Sequence, residues 1–343
     1  MKRILTALVL SLLLGALSLW LVSSNLFGKE VWQALEHFRL RWLAAVFTLI
    51  LCWWLVSGYR MIFLARRIGS YPGLWGGVQT HIVGVFSSSI TPAGGGNSIG
   101  IALLLMRLGL KPENAVVVTV MSLVGDLAFF SWTMPASFFL LLRYGINLPI
   151  DHLGVFILIV SCLALALSYL LVFRLSLATA LAKRLFTLRF VRRFRNRKIS
   201  RFLADLELAS TAFASSPWSW HLRFHGLSTI ARLCFFATLN LILLGLDIDF
   251  NHLVILASQI VVHAFAFVIP TPGASGYQEA AITFALKGEI PAQLLTAAVI
   301  IWRFTNYYLY FIAGSIVGGV ALLGVTRPGD RPGADSRRES LPH

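Results

Sequence analysis

Apolar residues come along this chain in long unbroken blocks, where a soluble protein would show them at helical or alternating intervals. Six blocks, 4–22, 42–64, 114–141, 153–173, 222–244 and 292–324, are each long enough to cross a bilayer alone. A spanning helix needs about 20 apolar residues, whereas barrel strands are shorter and alternate, so these blocks predict helices. Two further blocks, 74–110 and 252–288, are interrupted midway by SSSITPAGGGNS and IPTPGASGYQE. The halves of the first are short for a span. Irregular backbone at membrane depth must be sheltered by protein or line a wet cavity. Both blocks therefore predict re-entrant helical hairpins. The expected fold is an all-α polytopic membrane protein with about six full spans plus two re-entrant hairpins. Reading the hairpins as pairs of full spans would give ten crossings and the same termini.

Charge orients the blocks. With the N-terminus cytoplasmic, Arg66 and Arg67, then Arg107 and Lys111, fall inside, as does the run from Arg174 to Arg201. Basic residues accumulate on the cytoplasmic side, and only Arg39 and Arg41 fall mildly outside the pattern. The expected location is the cell (inner) membrane, multi-pass, with both termini cytoplasmic. The two hairpins then enter from opposite faces. Aligning Thr91-Pro92 with Thr271-Pro272 brings Gly96 onto Gly276. This predicts an inverted-topology repeat, in which broken helices meet near the midplane. The organisation expected is a membrane half over 1–173, a basic connector over 174–216, a second membrane half over 217–324, and a disordered tail over 325–343.

Composition agrees with the blocks. Of 343 residues 57% are apolar and 13% charged, with a mean hydropathy of +0.79; soluble domains keep about a quarter of their residues charged. The net charge of +15 would suggest nucleic acid in a soluble protein. Its placement beside spans assigns it to topology, and no nucleic-acid partner is expected. The 174–201 stretch could also bind anionic inner-leaflet lipids, helped by a connector helix with Phe202, Leu206, Ala209 and Phe213 on one face. The start of the chain reads as an uncleaved span rather than a signal peptide. Cys52, Cys162 and Cys234 lack ligand-like spacing and read as small core hydrophobes.

Candidate chemistry gathers at the two interruptions. A helix starting at mid-depth presents unpaired N–H groups to an anion. Such ends are predicted at Gly96–Asn97 and Gly276–Tyr277, with Pro92, Gly95, Pro272 and Gly273 shaping the turns; the same residues could serve only to make the turns. Ionisable residues at membrane depth are functional candidates by default. Here they are Glu279, Arg303 and Asp126, each open to a purely structural ion pair, with Arg232 a weaker candidate able to snorkel. His81 and His263 occupy comparable places, as interhelical hydrogen bonders or proton relays. Asn97, Gln259, Gln278 and Asn306 read as polar glue, and Trp302, Tyr307, Tyr308 and Tyr310 as cavity lining or packing. HExxH, Walker, GxSxG and paired metal-ligand patterns do not occur. Neither a cofactor, a metal nor an enzymatic activity is expected.

These features together resemble the transmembrane (flippase) module of the lysylphosphatidylglycerol synthase family over about residues 4–324. PTPGASGYQE is similar to the family's Pro-Gly-small-small-Gly-x-x-Glu signature and puts Glu279 on its acidic position; Pro92 with the glycines after it, Asp126 and Arg303 before an aromatic run add weaker matches. Family members often carry an acid and then an arginine after the first glycine turn, where this chain has Asn97-Ser98-Ile99-Gly100-Ile101. The resemblance, without the aminoacyl-transferase domain, implies translocation of a membrane phospholipid or polyprenyl-linked lipid. Two other readings stay open at this point: a membrane-embedded transferase on lipid-linked substrates, and an accessory partner of a separately encoded synthase or transferase.

Overall fold

In the computed structural model, residues 29–91, 94–145, 153–174, 211–267 and 269–323 are described, and every regular element among them is helical. In chain order these are α1 (Lys29–Glu36), α2 (Leu40–Arg67), α3 (Leu74–Ser89), α4 (Gly96–Arg107), α5 (Pro112–Arg143) and α6 (Leu153–Phe173). Then follow α7 (Trp218–Gly245), α8 (His252–Ala266), α9 (Tyr277–Leu286), α10 (Ala292–Arg303), a π turn (Phe304–Tyr308) and α11 (Leu309–Leu323). The protein is an all-α polytopic membrane protein. Among the described residues, α2, α5, α6 and α7 are long and apolar enough to cross a membrane, matching four of the predicted spans. The block 4–22, most of the connector and the tail lie outside the described residues.

The last predicted span differs from expectation. Residues 292–323 run on as helix, but Phe304–Tyr308 winds as a π turn in the middle. A π turn holds one residue more than an α turn and is common at functional sites. Here it follows directly on Arg303.

Sequence sets most helix ends. Pro112 stands at the first position of α5, where its missing N–H costs nothing. Asn251 caps α8, its side chain accepting from the N–H groups of Leu253 and Val254. At 28 residues each, α2 and α7 reach about 42 Å at 1.5 Å per residue, more than the hydrocarbon thickness. By contrast α3, α4, α8 and α9 have 16, 12, 15 and 10 residues, and none of the four passes about 24 Å.

The long helices α2 and α7 pack antiparallel as the central pair. Arg39 bonds Asp247 at one end of that pair, and at the other the Arg67 Nε donates to the Ala212 carbonyl. Around it, α3 and α4 form one helix pair and α8 and α9 another. Leu105 and Leu110, at the base of the first pair, cluster with Ala65 beside Arg67. Leu286 and Ile290, at the base of the second, cluster with Leu246 and Ile248 at the opposite end. The two pairs thus enter the bundle from opposite ends, and their breaks converge in the middle. Side chains facing outward are strongly apolar, among them Phe139, Leu163 and Ile316. Such surfaces suit lipid as solvent.

Two smaller expectations need correcting. Cys52 and Cys162 are exposed on this apolar exterior, so they are not core residues; each falls on the outer face of its helix, which an uninterrupted apolar block cannot reveal. Phe213, expected on a leaflet-facing helix, is fully buried against Trp220 within the protein.

Candidate functional site

The site is built from the two breaks. At the first, Thr91 closes the turn: its Oγ1 donates to the Ser87 carbonyl at 2.8 Å and accepts from the Gly96 N–H at 2.7 Å. A Cβ on Gly96 would run into Thr91 Oγ1 at 2.6 Å, so only glycine lets α4 start there. At the second, the Thr271 hydroxyl donates to the Ser275 carbonyl at 3.0 Å, and Gly276 takes φ 86° to launch α9. L side chains avoid that left-handed region. Pro272 is buried in this turn, whereas Pro92 lies outside the described residues.

The two breaks face one another across a cavity of about 130 Å³. Ser88, Gly94 and Asn97 border it from the first pair, and Phe267, Gly273 and Gln278 from the second. Arg232 of α7, His263 of α8, and Arg303, Asn306 and Tyr307 around the π turn complete it. The Tyr307 hydroxyl donates to the Ser89 carbonyl at 3.3 Å and fastens the π turn to the first break. A second cavity of about 430 Å³ adjoins the first and shares Ser88, Gly94, Asn97, Arg232 and Phe267 with it. It runs between α4, α5 and α6 past Gly95, Ser98, Asp126 and Phe130. Leu123, which borders it, is 41% exposed.

The charged residues form two groups. Glu279 is 1% exposed and Arg303 3%. Arg303 Nε donates to Glu279 Oε1 at 2.6 Å, and its Nη1 to Gln278 Oε1 at 3.3 Å. Glu279 Oε2 also accepts the Gly276 N–H at 2.9 Å, so this carboxylate caps its own helix. It is half of a capping box, with glycine in place of the usual hydroxyl. In the second group, Asp126 stands between two arginines. Arg60 Nη1 reaches Oδ1 at 2.8 Å and Arg232 Nη2 reaches Oδ2 at 2.6 Å, while Arg60 Nη2 also donates to Ser122 at 3.0 Å.

This corrects the reading of Arg232, which turns inward to Asp126 rather than snorkelling. Arg60, a member of this charged group, was not singled out from the sequence. It sits near the basic end of α2, seven residues before Arg67, where it passes for one more topology charge. The available signal was its position inside the apolar block 42–64.

The histidines part company. His263 borders the smaller cavity and stacks on Phe130. His81 lies away from both cavities, edge-on to Trp53 at 5.1 Å, and its Nε2 has no hydrogen-bond partner among the described residues. Trp53 and Tyr310 stand edge-on around its ring. Tyr277 points away from the cavities, its hydroxyl donating to the Val262 carbonyl at 3.2 Å. Gln259 and Asn306 act as glue, donating to the Phe236 carbonyl and the Thr238 hydroxyl. Tyr310 is fully buried and bonded to Trp54, so of the aromatic run it packs while Tyr307 lines.

Among the described residues no group of three or more His, Cys, Asp or Glu is placed to hold a metal ion. In comparisons with known proteins, the chain is 23% identical over 307 residues to a UPF0104 membrane protein of Archaeoglobus fulgidus, covering 86% of this chain and 91% of that relative. The model of the lysylphosphatidylglycerol synthase TM region matches residues 8–314. The chain therefore belongs to the lysylphosphatidylglycerol synthase transmembrane-region family.

Proposed function

We propose that this protein carries a lipid with a polar, phosphate-containing headgroup, a phospholipid or a polyprenyl-linked lipid, between the leaflets of the cell membrane. In this reading α3–α4 and α8–α9 are re-entrant hairpins of an inverted-topology repeat, dipping in from the cytoplasmic and the outer face respectively. The observation that carries it is the convergence of both helix breaks with Arg232 and Arg303 on one cavity deep in an apolar bundle. A headgroup crossing hydrocarbon loses its hydration, at a cost of several kcal/mol per unpaired polar group. Preplaced guanidinium, amide and backbone N–H groups replace that hydration. The adjoining cavity is walled largely by apolar side chains, Leu123 and Leu127 among them, so in this reading the hydrocarbon tails stay in apolar surroundings while the head moves.

Transport is favoured over a transferase by how the carboxylates are used. Asp126 has both oxygens directed at arginine N–H groups, and Glu279 has one directed at Arg303 and the other at the Gly276 N–H, which suits a fixed electrostatic frame better than a general base.

The test is leaflet exchange of a fluorescent phospholipid in proteoliposomes, read by quenching of the outer leaflet. The purified chain is expected to accelerate exchange over protein-free vesicles, and Glu279→Gln, which loosens both Arg303 and the cap of α9, to slow it by about tenfold or more. Exchange no faster than in empty vesicles, with the protein folded, would sink the proposal. Equal rates for wild type and Glu279→Gln would remove Glu279 from it.

A further inference from the structure

The two helix N-termini at the breaks are not equivalent. The first turn of α9 is filled from within, because Glu279 supplies the negative charge that the helix end attracts. The first turn of α4 holds no acidic residue, and Gly95 at its cap has no side chain to offer. That turn faces the cavities: Gly94 and Asn97 border both, Gly95 and Ser98 the larger. Opposite it stand two arginines. Arg232 borders both cavities, and Arg303, 3% exposed, borders the smaller with its Nη2 lacking any hydrogen-bond partner among the described residues. Among the described residues, the ion pairs here join three guanidiniums (Arg60, Arg232, Arg303) to two carboxylates (Asp126, Glu279), an excess of one positive charge.

We infer that the N-terminus of α4, with Arg232 and Arg303 across the cavity, binds a phosphate mono- or diester. Glu279 marks by contrast what is absent from the first break: one hairpin carries its own anion, and the other is built to receive one. The larger cavity continues from the same turn between the apolar side chains of Ile101, Leu127, Phe130 and Met134, a wall suited to the hydrocarbon to which the phosphate is esterified. The lipid nature of the ligand rests on the transport reading; the phosphate site does not.

The experiment uses the full chain in dodecyl maltoside micelles, free of bulk phospholipid, with phosphatidic acid and diacylglycerol of matched chains as probes and retention read by native mass spectrometry. Wild type is expected to retain phosphatidic acid over diacylglycerol. Asn97→Asp changes no volume but places a negative charge in the first turn of α4, and should lower that retention by about tenfold. Ser98→Glu, at an exposed position, should do the same and covers the case in which Asn97→Asp does not fold. Displacement by inorganic phosphate would show a site for phosphate whatever carries it; retention against inorganic phosphate would assign the site to the lipid. Phosphatidic acid held equally by wild type and both variants, or no preference in wild type, would overturn the inference. Preferential retention by a wild type that moves no lipid in proteoliposomes would leave the site standing and sink the transport reading.

Discussion

At the scale of single residues, the same chemistry has very different weight at different depths. Arg39 and Asp247 pair at 2.5 Å with 45% and 70% of their side chains exposed. Exposed ion pairs contribute up to about 1 kcal/mol, so Arg39→Ala should change thermal unfolding little. Asp126 makes the same kind of bond inside the bundle, to Arg60 and Arg232 together. Asp126→Ala would leave two guanidiniums facing each other without a counter-charge. It is expected to destabilise by about 3–5 kcal/mol, a clear fall in the midpoint of thermal unfolding in detergent or nanodiscs. A small loss would mean that lipid or water already compensates these arginines. Gly276 offers a second case, because its φ of 86° is a backbone state rather than a contact. Nothing stands within 4 Å of a Cβ built there, so Gly276→Ala isolates the conformational cost, expected at about 1–2 kcal/mol by the same measurement.

At the scale of elements, the π turn is where fold and site meet. Asn306 within it holds Thr238 of α7, and Tyr307 holds the Ser89 carbonyl at the end of α3. A π bulge amounts to one residue inserted into an α-helix. Deleting Phe304, which points outward, should return the segment to α geometry and keep the packing of α11 against α3. Expression and unfolding temperature are then expected to stay close to wild type, while lipid exchange in proteoliposomes falls by about tenfold or more. Exchange at the wild-type rate would show that the π turn does not position the site. The helix pairs themselves were legible in the sequence, because proline, several glycines and small polar residues clustered midway along an apolar block predict a break, whereas the lone Pro135 is carried inside the continuous helix α5. The π turn was not. IIWRFTNYYLYF has no proline or glycine to announce it, and the bonds that the turn makes to α3 and α7 are long-range.

At the scale of the whole molecule, the proposed topology puts Lys111 and Asp249 on opposite faces of the membrane. In a background with Cys52, Cys162 and Cys234 replaced by serine, single cysteines at these two positions should react with an impermeant thiol reagent from opposite sides. Labelling from the same side would remove the inverted arrangement of the hairpins and, with it, alternate access from the two leaflets.

The sequence by itself determined the helical class, four of the long helices, the positions of both breaks, and the residue types at them. Each depends on local composition: apolar length decides what can span, and proline and glycine decide where a helix must stop. It also supplied the family resemblance, through PTPGASGYQE and Glu279. Only the tertiary structure decided which charges meet. Arg60 and Asp126 are 66 residues apart, Asp126 and Arg232 are 106 apart, and the Glu279–Arg303 bond spans 24. Such partners are chosen by how helices pack, because a desolvated charge pairs with whatever counter-charge the bundle brings within reach. The contrast between the self-capped α9 and the open end of α4 likewise belongs to the tertiary structure. A carboxylate in the first turn is visible in a sequence, but whether it bonds its own helix depends on the backbone that Gly276 makes possible.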